Sequence, residues 1–267
     1  MIRLVADSGA VRVDIDEIHG GGIERLEVAG LDLLVPPGQH EHGYGSFPMA
    51  PWAGRIRNGA FTFDGIEHHL PINKPPHAIH GTVRDQRWMV DSSTHNAAVI
   101  STALAEPWPF GGRVVQRISL LPGALSLEME IYATDGPMPV TCGWHPWWSR
   151  DLARGRPVEL ELHAASMYKR DEVGIPTGEL MTVQSPPWDD CFTDLHSPVA
   201  VLTWPGAASL TIESDCPCVV VFTEPEHAVC VEPQSGPPDA FNLEEPEVVE
   251  PGTPLVVHTR WEWTVTR

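Results

Sequence analysis

Apolar and polar residues alternate at period two in segments spread along the whole chain: Ala10-Val11-Arg12-Val13-Asp14-Ile15, Leu125-Ser126-Leu127-Glu128-Met129-Glu130-Ile131, Val158-Glu159-Leu160-Glu161-Leu162 and Ser209-Leu210-Thr211-Ile212-Glu213. Successive side chains of a strand point to opposite faces, so this pattern predicts strands with one buried side. Phe61-Thr62-Phe63-Asp64-Gly65-Ile66-Glu67 sets an Asp-Gly pair between two extended runs, the signal of a tight hairpin, and Leu121-Pro122-Gly123-Ala124 reads as a second turn. The β-branched run Val229-Cys230-Val231 leads into Glu232-Pro233-Gln234-Ser235-Gly236-Pro237-Pro238. It predicts a strand that delivers one carboxylate into a loop rich in Pro and Gly. His80, in Ala78-Ile79-His80-Gly81, and His145, in Cys142-Gly143-Trp144-His145-Pro146-Trp147-Trp148, stand beside breakers predicted to end a strand at each histidine. Long amphipathic helical patterns with caps are absent from the sequence.

The 27 prolines and 23 glycines are dispersed, so they punctuate many short strands and mark no interdomain linker. With no fixed-period repeat either, the expectation is one all-β domain over residues 1–267, a large antiparallel β-sandwich with one curved face cupping a ligand.

Charge narrows the partners. Against 17 basic residues stand 36 acidic ones, a net charge of −19, which disfavours nucleic acid or an anionic membrane as the main partner. No apolar run reaches the roughly 18 residues of a membrane span, and Met1-Ile2-Arg3-Leu4-Val5-Ala6-Asp7 turns polar before a signal-peptide core can form, so a cytoplasmic protein is expected. Five cysteines, Cys142, Cys191, Cys216, Cys218 and Cys230, are an odd number in a long chain and are read as reduced thiols. Cys216-Pro217-Cys218, His40-Glu41-His42 and the pair His77 and His80 each lack the further ligands of a metal site, so no metal is expected.

Five segments resemble the aldose 1-epimerases, the galactose mutarotase family. They are Ala53-Gly54-Arg55-Ile56-Arg57-Asn58-Gly59-Ala60-Phe61; Leu70-Pro71-Ile72-Asn73-Lys74-Pro75 with Ile79-His80-Gly81; Gly143-Trp144-His145-Pro146-Trp147; Ile175-Pro176-Thr177-Gly178-Glu179-Leu180 followed by Trp188-Asp189-Asp190-Cys191-Phe192; and Val231-Glu232-Pro233-Gln234 with Pro238-Asp239-Ala240-Phe241-Asn242. The resemblance implies that Glu232 is the general base, His145 the general acid and His80 a hydrogen-bonding histidine near the sugar ring oxygen. It implies that Arg55 contacts substrate and that Asp189 binds a sugar hydroxyl, with Asp190 a close competitor. Gly54 stands where an Asn often precedes the arginine, and Trp147 and Trp148 replace the more usual Tyr or Phe. These departures bear on sugar preference more than on reaction type.

The chemistry suits those residue types. Interconverting the anomers of a hemiacetal requires one proton to leave the anomeric hydroxyl and another to reach the ring oxygen, so one base and one acid suffice, with no cofactor. A carboxylate beside two histidines is expected to raise the histidine pKa values and keep an acid charged near neutral pH. The 10 tryptophans are half of the aromatic residues, and Trp52, Trp144, Trp147 and Trp148 flank the motifs as candidates either to stack on a pyranose or to pack the core. Two other readings stay in view: a hexose-6-phosphate epimerase of the same fold, for which Arg57, Arg84 and Arg87 are available, and a non-catalytic carbohydrate-binding protein. No feature of the sequence sets an oligomeric state.

Overall fold

The computed structural model describes residues 1–6, 10–40, 42–243 and 246–266. Asp7 and Glu41, named above, lie outside the described residues. In chain order the strands are β1 (Ile2–Val5), β2 (Val11–Asp16), β3 (Gly22–Val28), β4 (Leu31–Asp32), β5 (Ser46–Met49), β6 (Arg55–Ile56), β7 (Ala60–Phe63), β8 (Ile66–His69), β9 (Ala78–Ile79), β10 (Met89–Ser93), β11 (Ala97–Leu104) and β12 (Gly112–Leu121). The second half continues with β13 (Ala124–Ala133), β14 (Met138–Pro139), β15 (Gly143–Ser149), β16 (Glu159–Arg170), β17 (Pro176–Thr182), β18 (Asp189–Trp204), β19 (Ala208–Ser214), β20 (Cys218–Phe222), β21 (Ala228–Gln234), β22 (Val248–Val249) and β23 (Leu255–Val265). Helical structure among the described residues is confined to three single 3₁₀ turns.

All four alternating segments are strands, β2, β13, β16 and β19. Asp64 and Gly65 both take positive φ, 50° and 74°, and close the β7–β8 hairpin. That two-residue turn matches the twist of the strands it joins. Gly123, at φ 76°, follows Pro122 in the turn that pairs Leu121 with Ala124.

The pairing is antiparallel throughout the named strands and forms the expected sandwich. One sheet runs β1, β2, β3, β5, β15, β21, β20, β18, β16, β17. The other runs β16, β18, β19, β23, β13, β12, β11, β10. β16 and β18 belong to both: Asp189–Phe192 of β18 pairs with β20, whereas Ala200–Trp204 pairs with β19. Strands that change sheets make the corner of a sandwich.

The core draws on both sheets. Trp148 of β15 meets Trp261 of β23 edge to face at 4.8 Å, and the Trp144 indole N–H donates to Gln116 of β12 at 3.1 Å. Alternation along β15 therefore sends Trp144 and Trp148 into the core and leaves His145 and Trp147 for the other face. All five cysteines are buried and free. Among the described residues no helix is long and apolar enough to cross a membrane.

Candidate active site

Glu232 sits in the interior of β21, paired with Val220 of β20, and the strand continues to Gln234. The carboxylate is thus held by a central strand and not by the loop that follows it, as the proline-rich sequence had suggested. β15 likewise runs straight through His145-Pro146, where a strand end was expected. Its ladder to β21 pairs Gly143 with Gln234 and resumes at Trp147 with Cys230 in the same register. Between those points lie Pro146 and Pro233, which have no N–H to donate, and the constant register sets His145 opposite Glu232. Their side chains meet, His145 Nε2 lying 3.3 Å from Glu232 Oε1.

Both groups are buried, at 6% and 2% exposure. Gln234, on the same face of β21, brings its Nε2 to 3.3 Å from Glu232 Oε2. Trp147 stacks on the His145 ring at 4.9 Å, and Phe47 of β5, directly across the ladder from His145, tilts against it at 4.6 Å. The strand β9 does end at His80, as expected. His80 takes φ 63°, and its N–H donates to Gly54 at 2.9 Å. Its ring stands edge-on to His145 at 5.1 Å. A non-glycine residue in the left-handed region is uncommon, and such strain concentrates at functional sites.

Arg55 reaches the same place through a two-residue ladder that pairs it with Ile79, beside His80. Asn73 clamps that segment by accepting from the Ile79 N–H at 2.8 Å and donating to its carbonyl at 3.0 Å. Across the site, Arg55 Nη2 faces Asp189 Oδ2 at 3.5 Å. Asp190 is buried and held at 2.7 Å by Arg170, yet both aspartates border the cleft, because β18 begins at this point. Asp239 accepts from the Arg57 N–H at 2.9 Å and braces the arginine segment from the far side of the chain.

The cleft over these groups encloses about 940 Å³, at the upper end of the roughly 300–1,000 Å³ of small-molecule sites. Arg55, His80, His145, Asp189 and Glu232 all line it. Sequence reading did not single out Phe47 or Gln234, which line it too, and Arg84, named above among the arginines available to a phosphate, is also on its wall. The period-two spacing from Glu232 was the available signal for Gln234, whereas nothing local marks Phe47. Of the four candidate tryptophans, Trp147 lines the cleft and Trp52, Trp144 and Trp148 are core. Gly54 has φ 66°, and a Cβ there would lie 2.7 Å from Pro238, which accounts for the missing asparagine.

The expected rise in histidine pKa is overturned. Burial, with a smaller contribution from the Arg84 charge, pushes His145 down to about 3, and burial together with His145 and the nearby arginines pushes His80 well below the usual range. Burial and the Asp189 charge push Glu232 well above the carboxylate range, against Gln234 and Arg55, which pull it down. Desolvation disfavours each charged form and here outweighs the attraction between them. Burial thus favours the neutral form of each group, with the proton on Glu232 and none on His145.

Neither His40 with His42 nor His77 with His80 forms a group of metal ligands among the described residues. His77 instead accepts from the Asn58 N–H at 3.1 Å, and His40 stacks on His227 at 3.9 Å. A closer trio does exist, His145, Cys230 and Glu232. Burial and the Glu232 charge push the Cys230 thiol far up, so it keeps its proton and is a poor ligand.

A family model described as Aldose 1-epimerase matches residues 5–262. The chain belongs to the aldose 1-epimerase family. This member is 27% identical over 253 residues to YihR, an uncharacterized protein of Escherichia coli (strain K12), across 84% of this chain and 80% of that one. It is 32% identical over 146 residues to the galactose mutarotase of Pongo abelii, where the match spans 51% of this chain and 42% of the relative. It thus covers less than half the length of that mutarotase. Among solved structures, a galactose mutarotase-like protein from Clostridium acetobutylicum superposes with a TM-score of 0.86 at 15% identity, covering 99% of this chain and 95% of the other. A GalM/aldose epimerase homologue from C. elegans gives 0.83 at 16% identity over 100% and 99%. Identities this low establish a shared fold, and membership of the family implies an isomerase.

Proposed function

We propose that the protein is a mutarotase that interconverts the α and β anomers of an aldose by ring opening and closure, with residues 1–267 acting as one catalytic unit and no cofactor taking part. The observation that carries this reading is the buried Glu232–His145 pair, 3.3 Å apart on the floor of a cleft large enough for a sugar. Mutarotation has no net proton demand: O1 gives one up as O5 takes one on, and closure reverses both transfers. Two groups sharing one proton meet that demand in either direction. Glu232, as carboxylate, takes the O1 proton, and His145 hands its own to O5. C1 then turns about its bond to C2 before the ring recloses.

The ionised arrangement is reached from the resting one by moving a single proton between neighbours, and Arg55 and Gln234 both favour the carboxylate form of Glu232. His80 supports the developing charge at O5, while Arg55 and Asp189 hold the remaining hydroxyls. His80 Nδ1, His145 Nδ1 and Gln234 Oε1 are buried without a hydrogen-bond partner among the described residues. An unmet buried polar atom costs about 1–3 kcal/mol, a cost concentrated here at the candidate centre.

The test is polarimetry of freshly dissolved α-D-glucose and α-D-galactose with wild-type protein, Glu232→Gln and His145→Ala. Acceleration that disappears in both variants is expected. A Glu232→Gln protein as active as wild type refutes the assignment, and tight sugar binding without acceleration points to a binding protein instead.

A further inference from the structure

The carboxyl group of Glu232 is gripped at both ends. Its Oε1 lies 3.3 Å from His145 Nε2 of β15, and its Oε2 lies 3.3 Å from Nε2 of Gln234, two residues further along β21. Glu232 and Gln234 share a face of that strand, so the second contact is set by the backbone and not by a loop. Gln234 is fully buried, and among the described residues its side chain makes no hydrogen bond besides the one to Glu232, its Oε1 being without a partner. A buried amide left half satisfied is costly, and packing alone would favour an apolar side chain there.

The strand neighbours of Gln234 make room for it. It pairs with Gly143 of β15 on one side and with Cys218 of β20 on the other, both small. A Cβ at position 143 would stand 3.1 Å from Gln234 Cγ and 2.2 Å from the Pro233 carbonyl oxygen. The glycine thus opens the slot in which the amide chain lies. Gly143 and His145 are two residues apart on one strand, so a single segment fixes both the slot and the imidazole that Glu232 faces.

We propose that Gln234 is a positioning residue for proton transfer: its amide N–H stays on Oε2 of Glu232 in both protonation states and confines the exchangeable proton to Oε1, the oxygen that faces His145. This rests on the mutarotase reading for the role of the pair. Oε2 accepts from the amide either as a carboxylate oxygen or as the carbonyl of the acid, so the bond survives the transfer. A proton on Oε2 would instead confront the amide N–H and point away from His145. Held on Oε1, the resting proton points at the imidazole, and once passed to Nε2 it leaves Oε1 free to take the O1 proton of the sugar. The other titratable neighbours of Glu232 act through charge alone: Asp189 of β18 disfavours its carboxylate and Arg55 of β6 favours it. Burial keeps the thiols of Cys191 and Cys230 protonated, so they add no charge.

The test reads Glu232 directly. In protein labelled with ¹³C at the glutamate Cδ, the Glu232 signal, identified by its absence from Glu232→Gln, gives the pH at which this carboxyl ionises with no sugar present. A hydrogen bond to an ion is stronger than the same bond to a neutral acid. Gln234→Met, similar in length and without an N–H, is therefore expected to raise that midpoint by about one pH unit. Each unit lowers the ionised share of the resting pair about tenfold. Mutarotation by the variant is accordingly expected to lose about tenfold in kcat, with KM within about twofold of wild type because Gln234 does not meet the sugar. A midpoint that stays in place, or a loss carried by KM, overturns the proposal. Wild-type protein supplies a second measurement should the variant not fold: the ¹⁵N signal of the Gln234 side-chain amide is expected to titrate with the Glu232 midpoint, and a signal that ignores it overturns the proposal as well. The two readings fail separately. A raised midpoint in protein that turns over no sugar upholds the hold of Gln234 on Glu232 and removes the mutarotase reading alone, whereas turnover with an unmoved midpoint removes only the role of Gln234.

Discussion

Replacing Glu232 by glutamine changes stability in a pH-dependent way that follows from burial alone. In the folded protein Glu232 holds its proton well above the ordinary 4.5, and His145 stays neutral down to about 3. In the unfolded chain the two return to about 4.5 and 6.5. Between those two values both states bind one proton on the pair, the folded protein on Glu232 and the unfolded chain on His145, so the pair adds no pH dependence in that window. Below pH 4.5 the unfolded chain binds two protons and the folded protein one, and stability falls as pH falls. Above 6.5 the unfolded chain binds none while the folded protein keeps one, and stability falls as pH rises until Glu232 ionises.

Glutamine removes the carboxyl and leaves His145, whose low value arises from burial and Arg84 and not from Glu232. The variant then loses stability as pH falls from 6.5, and by pH 4.5 it has lost about 3 kcal/mol relative to wild type. Above 6.5 the sign reverses, and the variant gains on wild type for as long as the folded wild type keeps the Glu232 proton. Urea unfolding of both proteins in buffers from about pH 4.5 to about pH 8 reads the difference directly, because every other titrating group cancels. Parallel stability curves between pH 4.5 and 6.5 would falsify the claim that His145 is buried as the neutral imidazole.

The same proton inventory governs activity. The pair holds one proton from about pH 3 up to the raised value of Glu232, so kcat/KM is expected to stay level through mildly acid pH and to fall on the alkaline side; an acid limb near pH 6 contradicts this. Trp148→Ala, which empties a core position against Trp261, is expected to cost about 3–5 kcal/mol in urea unfolding, whereas Trp147→Phe raises KM with less than about 1 kcal/mol lost; the reverse ranking rejects their division between core and cleft. Gly81→Ala puts a Cβ 1.9 Å from the Ala50 carbonyl oxygen at φ 70°, and is expected to cost more than about 2 kcal/mol and to displace His80; unchanged stability and kcat exclude that constraint. Prolonged dialysis against EDTA is expected to leave mutarotation intact, and loss restored by zinc reassigns the trio of His145, Cys230 and Glu232.

Much of the local structure was legible. Alternation marked β2, β13, β16 and β19, and Asp64-Gly65 and Pro122-Gly123 marked their turns, because a period of two and a positive φ are properties of a few neighbouring residues. The proline rule misled at His145-Pro146 and Glu232-Pro233. Proline removes a backbone donor, but in this register Pro146 faces Val231 and Pro233 faces Trp144, so the two strands lose hydrogen bonds only around the His145–Glu232 level and continue on either side. Nothing local in β18 reveals that its two halves pair in different sheets, since that depends on β19 and β20, which follow it.

By itself, the sequence determined the β character of the chain, its turns and the residue types at the candidate centre, Glu232, His145, His80, Arg55 and Asp189. These depend on side-chain chemistry and short-range geometry, which travel with the chain. The tertiary structure alone decided that His145 faces Glu232, that Phe47, Gln234 and Arg84 join them, and that burial favours the neutral form of both members of the pair. Solvent exclusion is the physical reason: segments near residues 47, 84, 145 and 232 together remove water from one carboxyl and one imidazole, and the desolvation they impose reverses the sign that a nearby opposite charge leads one to expect.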